Sequence, residues 1–385
     1  MKDVFIIGSK GIPANYGGFE TFVDKLTENI GYNNNIKIHV ACKNNISEKY
    51  IYNNASCFSI KVPNIGSAQA VLYDILALKK VIYYITKNSI SHPTVYILAC
   101  RIGPFFRSFV NKIHKSCGRI IINPDGHEWK RSKWNPVIKK YWKHSERLMV
   151  KYSDLVICDS RNIEEYINNE YKKYQPKTTY ISYGADISNS VFNDDDQVFI
   201  NWLKEFGLTP NNYYLVVGRF VPENNYETII KEFMKVESNK DLVIITTKND
   251  KFYNELNKKL NFQKDKRIKF VGTVYEKELL KKIRENSFAY IHGHEVGGTN
   301  PSLLEALSST KINLLYDVCF NKEVGKNSCF YWNKKSDSLK VLIEFAEKLS
   351  IEEINQYSDK CKRIICEDYN WDDISKKYME VFVDE

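Results

Sequence analysis

The chain has 385 residues, of which 43% are apolar and 27% charged, and its formal net charge is +9. That length exceeds one ordinary hydrophobic core and points to two domains. The balanced composition, with no low-complexity tract, excludes a disordered or fibrous chain. Nine scattered cysteines without a CxxC pair or zinc-ligand spacing point to reduced thiols in a cytoplasm, not to a disulfide framework or structural zinc.

The opening MKDVFIIGSKGIP holds an apolar run too short for a signal peptide and reads as a first core strand. No apolar run approaches the roughly 18 residues that cross a bilayer, so any membrane contact is expected to be peripheral. The positive charge favours anionic partners without choosing among them.

In chain order, VFIIG, IKIHVA, VYILA, RIIIN and LVICDS alternate with amphipathic stretches, the first near residues 21–30. This rhythm predicts a parallel βα sheet. Periodicity lapses over 187–196, which reads as a linker, and a second series opens near Asn211 with YYLVVG, DLVIITT, RIKFVG, FAYIHG and KINLLYD. The expected division is residues 1–190, residues 191–370 and a closing helix over 371–385. Two such Rossmann-like α/β domains facing a central cleft should bind ligand at the carboxyl ends of their strands.

The first strand runs into GSKGIPANYGGFE and then a helix. Glycines at a strand-to-helix loop let backbone amides approach a phosphate, which makes Gly17 and Gly18 diphosphate candidates. The spacing is not GxGxxG, and no acid follows the second strand, where IHVACKNN is basic, so a dehydrogenase reading is disfavoured. In the second half, Arg219 closes the YYLVVG strand, where its fork of donors suits a diphosphate. The segment HGHEVGGTNPSLLEAL places Gly297 and Gly298 before a helix starting near Asn300 and Pro301. Amides of Gly297, Gly298, Thr299 and Asn300 suit a phosphate, and Glu295 and Glu305 suit the hydroxyls of a sugar nucleotide.

After RIIIN come Asp125, His127 and Glu128, candidates for orienting an acceptor hydroxyl or steadying a donor sugar. The stretch that follows is basic and aromatic, with Lys130, Arg131, Lys133, Trp134, Lys139, Lys140, Trp142 and Lys143. Such a helix suits an anionic bilayer surface, where each cation adds about 1 kcal/mol. No recognised nucleic-acid motif accompanies it, so nucleic acid is not an expected partner. The histidines show no metal-ligand spacing; His292 and His294 lack a third ligand other than Glu295, and no metal or other cofactor is expected.

Taken together, GSKGIPANYGGFETF, ILACRIGPF, NPDGHEWKRSKW, CDSRNIEEYI, VVGRFVPENNYE, KFVGTVYEKELL and GHEVGGTNPSLLEAL resemble the bacterial β-1,4-rhamnosyltransferases of capsule and cell-wall polysaccharide assembly. The resemblance spans nearly the whole chain. It implies the GT-B fold of retaining glycosyltransferases, a dTDP-L-rhamnose donor and a polyprenyl-diphosphate-linked acceptor sugar, glucose or N-acetylglucosamine. The enzyme would be cytoplasmic, held at the inner face of the plasma membrane. By position it aligns Gly17 and Gly18 with the loop near the donor phosphates, Arg219 with the phosphate-binding Arg, Val274 with the base pocket and Glu305 with the second Glu of the E-x7-E motif. Two departures stand out: Asn224 replaces the Lys usual five residues after that Arg, and Gly297 stands where the first motif Glu would fall, with Glu295 displaced by two. Two rival classes are a sugar-nucleotide epimerase on the same paired-domain fold and a non-enzymatic polyanion- or membrane-binding protein.

Overall fold

The computed structural model describes residues 1–14, 17–44 and 48–384. The chain forms two compact units, one from Met1–Gly184 with Trp371–Glu385 and the other from Ala185–Asn370.

The first unit runs β1 (Lys2–Ile7), α1 (Gly18–Ile30), β2 (Ile36–Lys43), β3 (Lys49–Tyr52), β4 (Ala55–Ile60), α2 (Gln69–Lys87), β5 (Thr94–Leu98), α3 (Gly103–His114), β6 (Arg119–Asn123), α4 (Pro136–Tyr152), β7 (Leu155–Cys158), α5 (Arg161–Glu170) and β8 (Thr178–Tyr180). Its sheet has the order β3-β4-β2-β1-β5-β6-β7-β8 and is parallel except for β3, antiparallel to β4 at the edge. A parallel sheet is covered on both faces, which is why its strands read as continuous apolar runs. On one face Phe5, Ile7, Val95, Ile97, Ile120 and Ile122 pack against α2 and α3 through Leu78, Val81, Phe106 and Phe109. Because β1 lies between β2 and β5, the strand order reverses there, and such a switch point opens a crevice above the strand carboxyl ends. Gly8 turns the chain off β1 with φ +103, and a Cβ there would sit 2.2 Å from the Leu98 carbonyl oxygen. Only glycine fits so close to the end of β5.

The second unit runs α6 (Gln197–Phe206), β9 (Tyr213–Val217), α7 (Tyr226–Phe233), β10 (Asp241–Ile245), α8 (Asp250–Leu260), β11 (Ile268–Phe270), α9 (Lys277–Glu285), β12 (Ala289–His292), α10 (Pro301–Ser309), β13 (Asn313–Tyr316), α11 (Cys319–Gly325), β14 (Phe330–Trp332), α12 (Ser338–Ala346) and α13 (Ile351–Asp368). Its parallel sheet has the order β11-β10-β9-β12-β13-β14, so its switch point lies between β9 and β12. The last helix, α14 (Trp371–Val383), belongs to the first unit. There Tyr378 packs on Phe22, its hydroxyl meets that of Tyr96 at 3.3 Å, and Lys2 donates to the Asp384 carbonyl at 2.7 Å.

The unit boundary falls at Gly184, ahead of the polar stretch read as a linker. That stretch belongs to the second unit because α9 presents carboxylates to it: Ser190 donates its amide to Glu285 at 2.6 Å and Val191 donates to Glu278 at 2.9 Å. Polarity here marks side chains and amides paired across a packed surface. The two chain crossings lie side by side, with Ala185 bridging Asn370. Among the described residues no helix is long and apolar enough to cross a membrane, and all nine cysteines are free thiols.

Candidate functional site

In the second unit the loops after β9 and β12 are tied together at the switch point. Asn225, held in the left-handed region at φ +57, donates from its side chain to the Gly293 carbonyl at 2.8 Å, while the Glu295 amide donates to the Glu223 carbonyl at 3.0 Å. Gly218 faces the His294 ring, where a Cβ would lie 3.0 Å from Cε1. Arg219 follows and is exposed, its guanidinium making no hydrogen bond or ion pair to any described residue. Its carbonyl accepts from the Asn224 side chain at 2.7 Å. Asn224 is buried and its side-chain amide is used in shaping this loop.

The segment after β12 is built on a buried polar chain. The Tyr290 hydroxyl lies 3.2 Å from His292 Nδ1 and 3.3 Å from Ser302 Oγ. Burial pushes the His292 pKa down to about 3, so its ring is neutral, and it stacks on His294 with centroids 4.4 Å apart. Gly297 has φ +147 with open space where a Cβ would be, and Gly298 and Thr299 are buried behind it. Asn300 caps α10 by accepting the Ser302 amide at 2.9 Å, and Pro301 has no amide hydrogen. The first turn of α10 is therefore satisfied by its own cap, which leaves the segment ahead of it, Gly297 to Asn300, as the source of candidate anion-holding amides. Val274 is half-buried against the core formed with Val271 and Leu279.

Both carboxylates singled out in this segment have cationic partners. Glu295 accepts from Lys334 at 2.6 Å and lies 3.4 Å from the Asn225 side-chain nitrogen. Glu305 accepts from Arg284 at 2.6 Å, and the same guanidinium reaches Ser302 Oγ at 3.5 Å. Neither Arg284 nor Lys334 carries a signal in the sequence: Arg284 sits in the ordinary amphipathic run of α9, and Lys334 lies in a loop beyond β14.

In the first unit Gly17, at φ +133, is the N-cap of α1, and Gly18 is its first residue. Asn15 and Tyr16 of that motif lie outside the described residues. The loop amides are partly taken by α1 itself: Lys10 donates to Glu20 at 2.7 Å and Ala14 donates to Asp24 at 2.8 Å. Two carboxylates thus sit beneath the loop expected to hold phosphate, and the first-turn amides of α1 are what it still offers.

Beyond β6, Asp125 adopts φ +57 and bends back so that its Oδ1 accepts the Gly126 amide at 2.9 Å. His127, also left-handed, packs against Tyr166 at 4.3 Å between centroids. Burial, with Lys130 and Lys143 nearby, lowers its pKa to about 4. Glu128 accepts from Arg131, from Lys133 at 3.0 Å and from Trp134 Nε1 at 2.9 Å. Burial works against its charge, yet Arg131 and Lys133 keep its pKa below the usual carboxylate range.

The basic stretch divides by burial. Lys130, Lys133 and Lys140 are exposed and Lys139 and Trp134 half-buried, but Arg131 and Trp142 are buried. Lys143 pairs with Glu170 at 2.9 Å and lies over the Trp129 and Tyr166 rings. Arg131, Trp142 and Lys143 are therefore packing and pairing groups of the first unit, and the surface expected from all eight residues reduces to the exposed lysines. An amphipathic period cannot show this, because the neighbouring α5 supplies the acid that captures Lys143.

Among the described residues no three His, Cys, Asp or Glu side chains converge as metal ligands. Residues 200–363 match the family described as glycosyl transferases group 1, and residues 1–186 match a domain of unknown function (DUF1972). No curated protein matches the sequence significantly. In structure the chain is similar to sucrose-phosphate synthase from Thermosynechococcus elongatus, with TM-score 0.81, 12% identity, and coverage of 99% of this chain and 98% of that one. It is also similar to a glycosyltransferase from Rickettsia africae, with TM-score 0.74, 11% identity and 99% and 97% coverage. The Anabaena protein HepE in complex with UDP-glucose is similar at TM-score 0.72, 12% identity and 99% coverage of both chains. At these identities the likeness is one of fold, and that fold is GT-B.

Proposed function

We propose that this chain, a GT-B glycosyltransferase whose residues 200–363 form a group 1 domain using a sugar nucleotide, transfers L-rhamnose from dTDP-L-rhamnose to a lipid-diphosphate-linked glucose or N-acetylglucosamine. The β-1,4 linkage so made belongs to capsule or cell-wall polysaccharide assembly. The observation that carries this reading is Arg219, an exposed guanidinium without a protein partner among the described residues, at the switch point between β9 and β12. A fixed fork of donors in that place suits the diphosphate of a sugar nucleotide, and the family resemblance of the motifs around it supplies the choice of sugar and base.

In this mechanism the acceptor hydroxyl attacks the anomeric carbon on the face the diphosphate leaves. The bond from that carbon to the diphosphate oxygen breaks as the new glycosidic bond forms, and the hydroxyl proton passes to a donor phosphate oxygen. Arg219 and the amides of Gly297 and Gly298 hold the charge that grows on the departing diphosphate, a role for preorganised dipoles and charge. Glu305 and Glu295 accept from donor hydroxyls, and Val274 lies against the base. In the first unit Asp125, His127 and Glu128 line the acceptor side. His127 is neutral at physiological pH and so acts as a hydrogen-bonding group, while Glu128 acts through its three donors. Lys130, Lys133 and Lys140 hold the enzyme to the anionic inner face of the plasma membrane.

The test is transfer from dTDP-L-rhamnose, with EDTA present, to synthetic lipid-diphosphate-glucose and lipid-diphosphate-N-acetylglucosamine, read by mass spectrometry. A gain of one deoxyhexose on either lipid is expected. No gain with folded protein rejects the donor or the acceptor. A second reading, a UDP-hexose donor, draws support from the UDP-glucose held by the similar HepE protein, and a hexose gained from UDP-glucose in the same assay would establish it.

A further inference from the structure

We propose that Arg101, with Ser9, forms a diphosphate-binding subsite of the first unit, and that the diphosphate it takes is the one on the lipid-linked acceptor. The choice of acceptor rests on the transferase reading above; the anion subsite rests on geometry alone.

Each sheet has one switch point, and each switch point carries an arginine. In the second unit it is Arg219, after β9. In the first it is Arg101, three residues beyond the end of β5, whose Nη1 donates to the Gly8 carbonyl just past β1 at 2.9 Å. Arg101 therefore spans the two strands between which the order reverses, the place where open α/β sheets hold their ligands.

The guanidinium is oriented from below. Its Nη1 also lies 3.2 Å from the Asp74 carboxylate, which is fully buried on α2, and the Arg101 carbonyl accepts from the Tyr141 hydroxyl of α4 at 2.8 Å. Every hydrogen bond and ion pair from the guanidinium to described residues is made by Nη1, and the side chain remains 19% exposed. The Nε–Nη2 edge is thus the part of the fork left for a ligand, and its geometry matches a phosphate. Ser9, next in the chain after the Gly8 whose carbonyl Arg101 holds, is 1% exposed with a hydroxyl that finds no partner among the described residues. A buried hydroxyl without a partner is unfavourable, and a bound phosphate oxygen would relieve it.

Other groups near this crevice do not take that role. The first amides of α3 are used by the protein: Gly103 donates to Ser145 Oγ at 2.7 Å and Ile102 donates to the Met149 sulfur. Asp125 and Glu128 also face Arg101, but Arg131 lies between them, within 3.7 Å of Asp125 and bonded to Glu128. The nucleotide has its own arginine in the group 1 domain, so the diphosphate left for Arg101 is the acceptor's, on the unit that also carries Lys130, Lys133 and Lys140.

The test titrates farnesyl diphosphate, farnesol and inorganic diphosphate into the full-length protein by calorimetry, with dTDP and UDP both in excess to fill any nucleotide site. Wild type should bind farnesyl diphosphate, bind inorganic diphosphate more weakly and ignore farnesol. Arg101→Gln should weaken farnesyl diphosphate binding about tenfold or more, and Arg101→Lys less. Ser9→Ala leaves the Arg101–Asp74 pair intact and should weaken binding by about threefold, which keeps the proposal testable if the Arg101 variants fail to fold. Binding of dTDP alone should be unchanged in every folded variant. Farnesyl diphosphate binding at the wild-type level in folded Arg101→Gln overturns the subsite. Loss of dTDP binding in its place, or equal binding of the inorganic and lipid diphosphates, overturns the acceptor assignment. Failure of sugar transfer with this binding pattern intact would remove the transferase reading and leave the subsite standing.

Discussion

Arg284 donates to the Glu305 carboxylate at 2.6 Å, and the two side chains are unequally covered, the guanidinium 5% exposed and the carboxylate 40%. The pair is therefore asymmetric in what each partner leaves behind. Removing Glu305 strands a buried cation, whereas removing Arg284 lets the carboxylate turn to water. Glu305→Ala is expected to cost about 1–3 kcal/mol in urea unfolding, more than Arg284→Met, and equal losses would show that the fold depends on both partners alike.

Arg219 presents the opposite case, a cation whose guanidinium pairs with no described residue. Arg219→Ala should change stability by no more than about 0.5 kcal/mol while lowering turnover by about a hundredfold or more. Activity at the wild-type level, measured as initial rates with saturating donor, would remove it from the diphosphate site.

Glu128 is expected to behave as a structural hub. Glu128→Ala leaves the buried Arg131 without its closest carboxylate and Trp134 Nε1 without an acceptor, so unfolding should be easier by about 1–3 kcal/mol. A variant that loses activity with an unchanged melting temperature would place Glu128 in the chemistry instead.

Asp74 gives a pH signature. Burial raises its pKa from 3.8 to about 6 against the opposing pull of Arg101. The folded protein then binds a proton more tightly than the unfolded chain does, so this contribution to stability is full below pH 3.8 and is lost as pH rises through about 6. Subtracting the Asp74→Asn unfolding free energy from that of wild type should leave a term falling between pH 4 and 6 by on the order of 1–3 kcal/mol. A difference that stays flat over this window would mean Asp74 is ionised throughout.

The basic stretch separates surface from structure. Replacing Lys130, Lys133 and Lys140 together by Gln should weaken binding to vesicles containing phosphatidylserine by roughly 3 kcal/mol at low salt, with a loss of stability of no more than about 1 kcal/mol from the Lys133–Glu128 pair. Lys143→Gln should do the reverse, since Lys143 pairs with Glu170. Vesicle binding insensitive to the triple replacement would remove the membrane role.

The alternation of short apolar runs with amphipathic helices was legible because parallel strands covered on both faces read as unbroken Val, Ile and Leu. The same signal located Gly218-Arg219 and the Gly297–Gly298 turn at strand ends, where strand-to-helix loops carry ligands. It misread the stretch before α6 as a linker, because periodicity registers polarity without showing that Glu278 and Glu285 receive the amides of Ser190 and Val191. Arg101 stands inside the segment ILACRIGPF with no local sign of a role, since nothing nearby in the chain reveals that β1 and β5 are neighbours.

What the sequence by itself determined is therefore what depends on neighbours along the chain: the strands and helices, the glycine turns, the caps such as Asn300 before Pro301, and the domain count. Tertiary structure alone decided which charges are free. Lys143, Glu295 and Glu305 meet Glu170, Lys334 and Arg284 from other elements, while Arg219 meets no described partner. Pairing depends on which elements the sheet order brings within about 4 Å, and that distance is not a function of spacing along the chain.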